Sequence, residues 1–360
     1  MKFTQKSKEH LDSCRFCWMC RHICPIGNAT GQERNTARAR ALGLSLVARD
    51  AVEYSEDIVN NVYECALCGA CVKECVTGWD PVAFTKEARL GAALDGKLPP
   101  YVLKMVKAAI ETGNIYGAKF DGKLAAKIRG LKKSDVLFFL GADARYKTPA
   151  NAAEAIDLLV KLGADFTALE NEPDSAYGMD FLVSATAETK AIAEKCAATL
   201  NGFKKVICYD PADAKMMRRE YKEWGIELVP EILTFTEYLD IMLEDREVKK
   251  SGLVFTPQDS AILARDLEET EPVRRILSKI GDVSEMLLNR RDTMLAGNLI
   301  MNEYMPLVMR RVALDRWTNA KNVGAKIVVT ESPAEYALLA ATKPEGLDVL
   351  SLEEAIEKCL

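Results

Sequence analysis

Eight of the eleven cysteines fall into two runs of identical spacing. Cys14, Cys17, Cys20 and Cys24 form C-x2-C-x2-C-x3-C, and Cys65, Cys68, Cys71 and Cys75 repeat it. A step of three residues taken twice lets three thiolates converge from one tight loop, with the fourth standing outside it. Soft thiolates in that array suit iron–sulfur clusters. Structural zinc and disulfides are the competing readings. Zinc sites use two C-x-x-C pairs, or cysteine with histidine. A third cysteine at the same step, repeated twice, exceeds what zinc needs.

The runs resemble those of bacterial two-cluster ferredoxins, in which the fourth cysteine of each run ligates the other cluster. The resemblance implies two [4Fe–4S] clusters, one on Cys14, Cys17, Cys20 and Cys75, the second on Cys65, Cys68, Cys71 and Cys24. The first run ends Cys24-Pro25, as the ferredoxin pattern does. The second ends Cys75-Val76, a small departure because proline is not a ligand.

With 360 residues the chain has room for two or three domains. Its net charge of −5 argues against nucleic acid as a partner. Met1 to His10 is polar, without the apolar core of a signal peptide. No apolar stretch reaches the ~18 residues of a membrane helix. The expected location is the cytoplasm, with membrane association only through partners, in an anaerobic or well-reduced setting.

Along the chain, Phe16, Trp18 and Met19 lie between the first cysteines and are expected to shield a cluster from water, or simply to pack. His22 either tunes that cluster by a hydrogen bond or is solvated. Gly31 to Ala48 and Val52 to Val62 read as helices, with Arg34, Arg38 and Arg40 as a solvated face. A minority reading makes those arginines a docking patch for an acidic partner. Cluster runs separated by helices point to an α-helical ferredoxin domain over 1–98. It resembles the iron–sulfur subunits of succinate dehydrogenase and anaerobic glycerol-3-phosphate dehydrogenase. A helical connector follows over 99–133, with a helix from Tyr101 to Thr112.

Beyond it the pattern alternates. Val136 to Leu140, Phe166 to Leu169, Val206 to Tyr209, Leu253 to Phe255 and Ile327 to Thr330 read as strands. Ala150 to Leu162 and Glu188 to Leu200 read as helices. Such alternation implies parallel α/β packing. The stretch from Lys204 to Asp213 parallels the stretch from Lys326 to Glu335, each a strand running into x-Pro-Ala-acid. The expected fold is therefore α+β and multidomain: an α-helical two-cluster ferredoxin domain followed by two repeated α/β lobes, over 134–245 and 246–360.

Ferredoxin runs followed by two such lobes resemble the CCG-domain iron–sulfur oxidoreductases. That family includes heterodisulfide reductase B and D subunits and the iron–sulfur subunits of glycolate oxidase and lactate-utilisation systems. The resemblance covers nearly the whole chain. In the family each lobe carries an early cysteine, a Cys-Cys-Gly and a late Cys-Pro-x-Cys. Here those positions align with Ala142, Leu169-Glu170-Asn171 and Asp210-Pro211-Ala212-Asp213 in the first lobe. In the second, Gln258 to Arg265 aligns with His-Asp-Pro-Cys-x-Leu-x-Arg. Leu295-Ala296-Gly297-Asn298 lies near the second Cys-Cys-Gly, and Ser332-Pro333-Ala334-Glu335 replaces the last Cys-Pro-x-Cys. Carboxylate, amide and methyl groups cannot stand in for thiolates on a cluster. Both lobes are accordingly expected to be cluster-free scaffolds.

Glu170, Glu172, Asp174, Asp210 and Asp213 inherit the first lobe's ligand positions. They either line a solvated cleft or hold a hard cation such as Mg2+. Cys196, Cys208 and Cys359 stand alone and are expected to behave as small buried apolar groups. No nucleotide- or flavin-binding signature is present, so hydride chemistry belongs to a partner. The expected function is that of an electron-transfer subunit in a hetero-oligomer. It would relay single electrons between a flavoprotein dehydrogenase and an acceptor such as a ferredoxin, an electron-transfer flavoprotein or a membrane quinone reductase. The family resemblance implies an FAD-linked oxidase acting on a 2-hydroxy acid or an alcohol as the flavoprotein. The alternatives are an enzyme subunit using the acidic cleft and a structural docking subunit.

Overall fold

The computed structural model describes residues 1–360. The chain divides into two compact units. The first comprises Met1–Gly117 with two later segments, Gly178–Lys190 and Ile300–Val312. The second comprises Ala118–Tyr177, Ala191–Leu299 and Ala313–Leu360.

The first unit is helical, and its helices start where side chains can cap them. Thr4, Thr36, Ser55 and Asp80 accept the free N–H groups at the starts of Gln5–Ser13, Ala37–Ala48, Glu56–Tyr63 and Pro81–Leu94. The helix expected from Gly31 thus begins only at Ala37. Gly31 itself, at φ 67°, ends the short helix Pro25–Thr30. The helix expected from Val52 begins at Glu56, after a turn in which Asp50 sits at φ 56°. Pro100–Thr112 runs as expected and closes on Gly113.

Helix Gln5–Ser13 packs on Ala37–Ala48 and on Pro81–Leu94, and Glu56–Tyr63 packs on Pro81–Leu94. Leu11, Leu44, Val59, Val62, Tyr63, Phe84 and Ala88 are buried between them. Arg89 is buried in the same place. It donates to the carbonyls of Val62 at 3.2 Å, Cys65 at 2.6 Å and Phe181 at 2.5 Å. Its guanidinium also lies over the rings of Tyr63 and Phe181, at 5.0 and 4.6 Å. One cation therefore joins the second cysteine run to the distant segment 178–190. Two hydroxyls add to this: Tyr63 donates to Leu182 O at 2.8 Å, and Tyr304 to Tyr63 O at 3.0 Å. A Cβ at Gly178 would meet Ile115 at 2.8 Å, so glycine lets that segment approach.

The second unit contains two parallel sheets. Strands β1 (Val136–Phe139), β2 (Lys205–Cys208) and β3 (Glu231–Thr234) pair in that order. Strands β4 (Val254–Gln258), β5 (Asp282–Val283), β6 (Ile327–Thr330) and β7 (Asp348–Ser351) pair in the order β5-β4-β6-β7. The expected strand at Phe166 to Leu169 is reduced to one bridge, Leu137 with Thr167. The chain turns at Glu170-Asn171 before it can extend. Strands β3, β5 and β7 went unread in the sequence.

The repeat extends beyond the x-Pro-Ala stretches after β2 and β6. Strands β3 and β7 both run into capping boxes, Thr234 with Glu237 and Ser351 with Glu354. The two sheets share one apolar core containing Phe138, Leu140, Phe235, Phe255, Ile276, Val329 and Ile356. Within it helix Phe235–Leu243 packs on Glu271–Ile280, and Pro149–Lys161 on Leu352–Glu357.

Arg89→Met keeps an unbranched apolar stem but removes the guanidinium and its donors, leaving buried carbonyls unpaired. Urea denaturation is expected to show a loss on the order of 3 kcal/mol. An unchanged midpoint would mean that those carbonyls find other donors.

Candidate metal centre

The two cysteine runs share most of their backbone, differing just before the short helices, where Trp18 stands at φ −100° and Gly69 at φ 72°. In each, the residue two beyond the first cysteine stands at positive φ, Phe16 at 50° and Leu67 at 52°. This region is unfavourable for side chains of that size. It brings the N–H of Phe16 to Cys14 Sγ and that of Leu67 to Cys65 Sγ, both at 3.4 Å. Short helices follow, Met19–His22 carrying Cys20 and Ala70–Glu74 carrying Cys71. The fourth cysteines, Cys24 and Cys75, are both extended, with ψ of 112° and 115°.

The short helices pack on each other, and this mixes the runs. Cys14 lies in electrostatic reach of Cys75 and Cys17. Cys24 is reached by Cys65, and Cys71 by Cys65, Cys68 and Cys24. Cys20 lies among Cys14, Cys24 and Cys17. Each run's fourth thiol therefore has a thiol of the other run near it, and Cys24 also lies near Cys20 of its own run. No three of these thiols converge as ligands of a single ion do. In a cube each thiolate binds its own iron, so its ligands stand farther apart. The set fits a cluster better than zinc.

Burial pushes the thiols of Cys14, Cys24 and Cys71 up, and that of Cys20 up to about 11. Backbone N–H groups work the other way, including Gly27 N at 3.4 Å from Cys24 Sγ. These four thiols thus hold their protons more firmly, and metal binding would have to displace them.

The expected shield around the first run is not formed. Phe16, Trp18 and Met19 are exposed by 39, 57 and 43%. Cys17 is exposed beside them, and His22 is solvated. Arg21 and Arg38 lie over the Trp18 ring at 5.0 and 4.4 Å, and both pair with Glu33. The reading of a solvated arginine face holds for Arg34 but fails for Arg40, which is buried. The helix period gave that signal, because Arg40 shares a stripe with Ala37, Ala41 and Leu44. Arg89 and the strained Phe16 and Leu67 carried no sequence signal.

In the second unit, several positions aligned with the family's cysteines do come together. Glu172 accepts from Leu140 N at 2.8 Å and Gly141 N at 2.9 Å. Gly141, at φ 83°, has no Cβ to collide with the Asp213 carboxylate against it. Asp213 accepts from Ser175 Oγ, and Asp210 caps Pro211–Lys215 through Ala212 N at 2.9 Å. Glu170 lies apart, paired with Arg129 at 3.7 Å. The expected solvated cleft is instead a buried one. Here too, no three acids converge as ligands of one ion. Arg145 lies 3.9 Å from Glu172, but its other nitrogens serve the carbonyls of Leu169 and Glu170. Burial pushes Asp174 up to about 6, Asp210 up to about 8, and Asp213 well above the carboxylate range.

Beside strands β4 and β6 buried charges are paired. Gln258 donates to Met294 O at 3.0 Å and to Glu335 Oε2 at 3.2 Å, and it accepts from Arg316 Nε. Glu335 also accepts from Ala296 N at 3.1 Å. Arg274 holds Asp259 at 2.6 and 2.9 Å and Glu285 at the same two distances. Cys196 and Cys208 are buried, as expected, and Cys359 is half-buried.

Asp210 is held neutral in the folded state by burial, then by the neighbouring Asp143. Its folded pKa lies above its unfolded value, so its contribution is complete below about pH 4 and is lost as pH rises towards 8. Asp210→Asn keeps the cap and removes the titration. Wild type should lose on the order of 2 kcal/mol more than the variant between about pH 5 and pH 8. Parallel stability curves for the two proteins would refute this.

Residues 10–79 match the 4Fe–4S dicluster domain family (Fer4_8). The chain is 26% identical over 315 residues to the D subunit of dihydromethanophenazine:CoB–CoM heterodisulfide reductase from Methanosarcina acetivorans, covering 78% of this chain and 75% of that protein. The Methanosarcina mazei protein of the same name is 25% identical over the same shares. A probable iron-sulfur-binding oxidoreductase of Bacillus subtilis, FadF, is 24% identical over 72% of this chain and 41% of its own length. In fold, a hypothetical protein from Helicobacter pylori superposes with a TM-score of 0.52 at 12% identity, over 98% of this chain and 72% of that one. These homologues, together with the dicluster domain at residues 10–79, are consistent with the CCG-domain iron–sulfur oxidoreductase family.

Proposed function

We propose that this chain is an electron-transfer iron–sulfur subunit of an oxidoreductase complex, relaying single electrons through two [4Fe–4S] clusters. The observation that carries this reading is the crossed neighbourhood of the thiols, Cys75 beside Cys14 and Cys24 beside Cys65 and Cys71. It supports one ligand set of Cys14, Cys17, Cys20 and Cys75 and another of Cys65, Cys68, Cys71 and Cys24. Clusters bound there supply one-electron transfer at potentials that the surrounding protein tunes. The relatives named as heterodisulfide reductase subunits support membership of a multi-subunit complex. Disulfide cleavage is not proposed, because carboxylates, amides and apolar groups occupy the lobe positions aligned with the family's cysteines.

In this reading a flavoprotein dehydrogenase, oxidising a 2-hydroxy acid or an alcohol, supplies the electrons, and a ferredoxin or similar carrier takes them. The subunit works in the cytoplasm and meets a membrane only through its partners. No helix is long and apolar enough to cross one. Exposed Phe16, Trp18 and Met19 beside Cys17 offer an apolar contact where the first ligand set is nearest to solvent. Residues 14–49 hold six arginines and one glutamate in a chain of net charge −5. A redox partner with an acidic face complements that patch.

Cys68→Ala is expected to abolish reduction of the distal acceptor while the flavoprotein is still reduced by its substrate. Undiminished transfer to that acceptor would sink the relay. Reversing Arg15 and Arg21 to Glu should slow association with the partner on this face about tenfold at low salt. The difference should shrink between about 50 and 200 mM salt in stopped-flow traces. Equal rates would move the docking face elsewhere.

A further inference from the structure

Arg40 is 3% exposed and has no carboxylate in its surroundings to pair with. Nη1 donates to Asn35 O at 3.0 Å, and Nε is buried without any partner. The groups that act on this guanidinium are the thiols of Cys65, Cys24 and Cys71. Cys24 Sγ shares the Asn35 carbonyl with it, at 3.4 Å. Burying a cation with no anion beside it is costly. The fold nevertheless carries it on the apolar stripe of Ala37–Ala48, facing three members of one ligand set.

We propose that Arg40 is the counter-ion of the second ligand set, and that its charge raises the reduction potential of the cluster on Cys65, Cys68, Cys71 and Cys24. This rests on the two-cluster reading above. A cube on four thiolates is anionic in both oxidation states and gains one further negative charge when it takes an electron. A fixed cation nearby, shielded from water, therefore stabilises the reduced state more than the oxidised one. The first ligand set has no equivalent. The arginine acting on Cys14 is Arg38, which is partly exposed, stacked on Trp18 and already paired with Glu33 at 2.9 Å. Arg40 is a positioning residue in this role: it hydrogen-bonds Cys24, acts on Cys65 and Cys71 through space, and carries no electron itself.

The test is an EPR-monitored redox titration of the anaerobically purified full chain as wild type, Arg40→Gln and Arg40→Lys, each with iron and sulfide counted. In wild type two couples are expected. Arg40→Gln should lower one midpoint by at least about 59 mV, a tenfold loss in that cluster's one-electron reduction equilibrium, and leave the other in place. Arg40→Lys should recover most of the shift. Two unmoved midpoints, or two that move equally, would overturn the assignment. If Arg40→Gln folds by circular dichroism but binds half the iron while Arg40→Lys binds all of it, the counter-ion role stands. If both variants lose iron alike, Arg40 is a packing residue and the proposal falls. A wild type without two couples would overturn the two-cluster reading itself, which separates that failure from a failure of Arg40.

Discussion

The packing of the two cysteine runs against each other is the constraint on which the first unit depends. Cys75 lies near Cys14, and Cys24 near Cys65 and Cys71, so segments 14–24 and 65–75 lie side by side. The forty residues between them must leave and return within that spacing. Capped helices at Ala37–Ala48 and Glu56–Tyr63 make the excursion short and stiff. Two buried arginines are packed into it. Arg89, on helix Pro81–Leu94, ties the Cys65 carbonyl to the segment around Phe181, and Arg40 lies near the thiols of Cys65, Cys24 and Cys71. Arg89 is satisfied by carbonyls and aromatic faces, whereas Arg40 donates to the Asn35 carbonyl, leaves Nε unpaired and lies in the field of three thiols.

In the second unit, buried polar and charged groups gather beside both sheets. The two places balance that charge differently. Around Gln258 and Glu335 the space is filled by Arg316, Arg274, Asp259 and Glu285 in a network where charge meets charge. Around Gly141, acids gather with little cationic compensation, and burial keeps Asp210 and Asp213 protonated instead. Both solutions keep the shared apolar core closed, and neither presents thiolates to a metal.

Much of this was legible in the sequence. The cysteine spacing, the repeat after β2 and β6, and the replaced family positions could be read because each is a local pattern with a chemical reason. Helix beginnings were read several residues early at Gly31 and Val52, because composition does not show that Thr36 and Ser55 take the cap positions. The strand at Phe166 failed because a turn at Glu170-Asn171 outweighs a short apolar run. Arg40 was read as solvated from its residue type, although its spacing from Ala37 and Leu44 put it on the buried stripe. Trp18 was read as a shield from its residue type and turned outward, stacked under two arginines.

By itself the sequence determined the chemistry of the chain: which side chains can bind iron, which former ligands cannot, and which segments have strand or helix periodicity. Those follow from residue identity and spacing alone. Only the tertiary structure decided which thiols face one another, that Arg40 and Arg89 are buried among them, and that segments 178–190 and 300–312 pack with the first unit. It alone also decided that the two sheets share one core. Such outcomes come from contacts between residues far apart in the chain, where burial and charge compensation over the whole fold outweigh local preference.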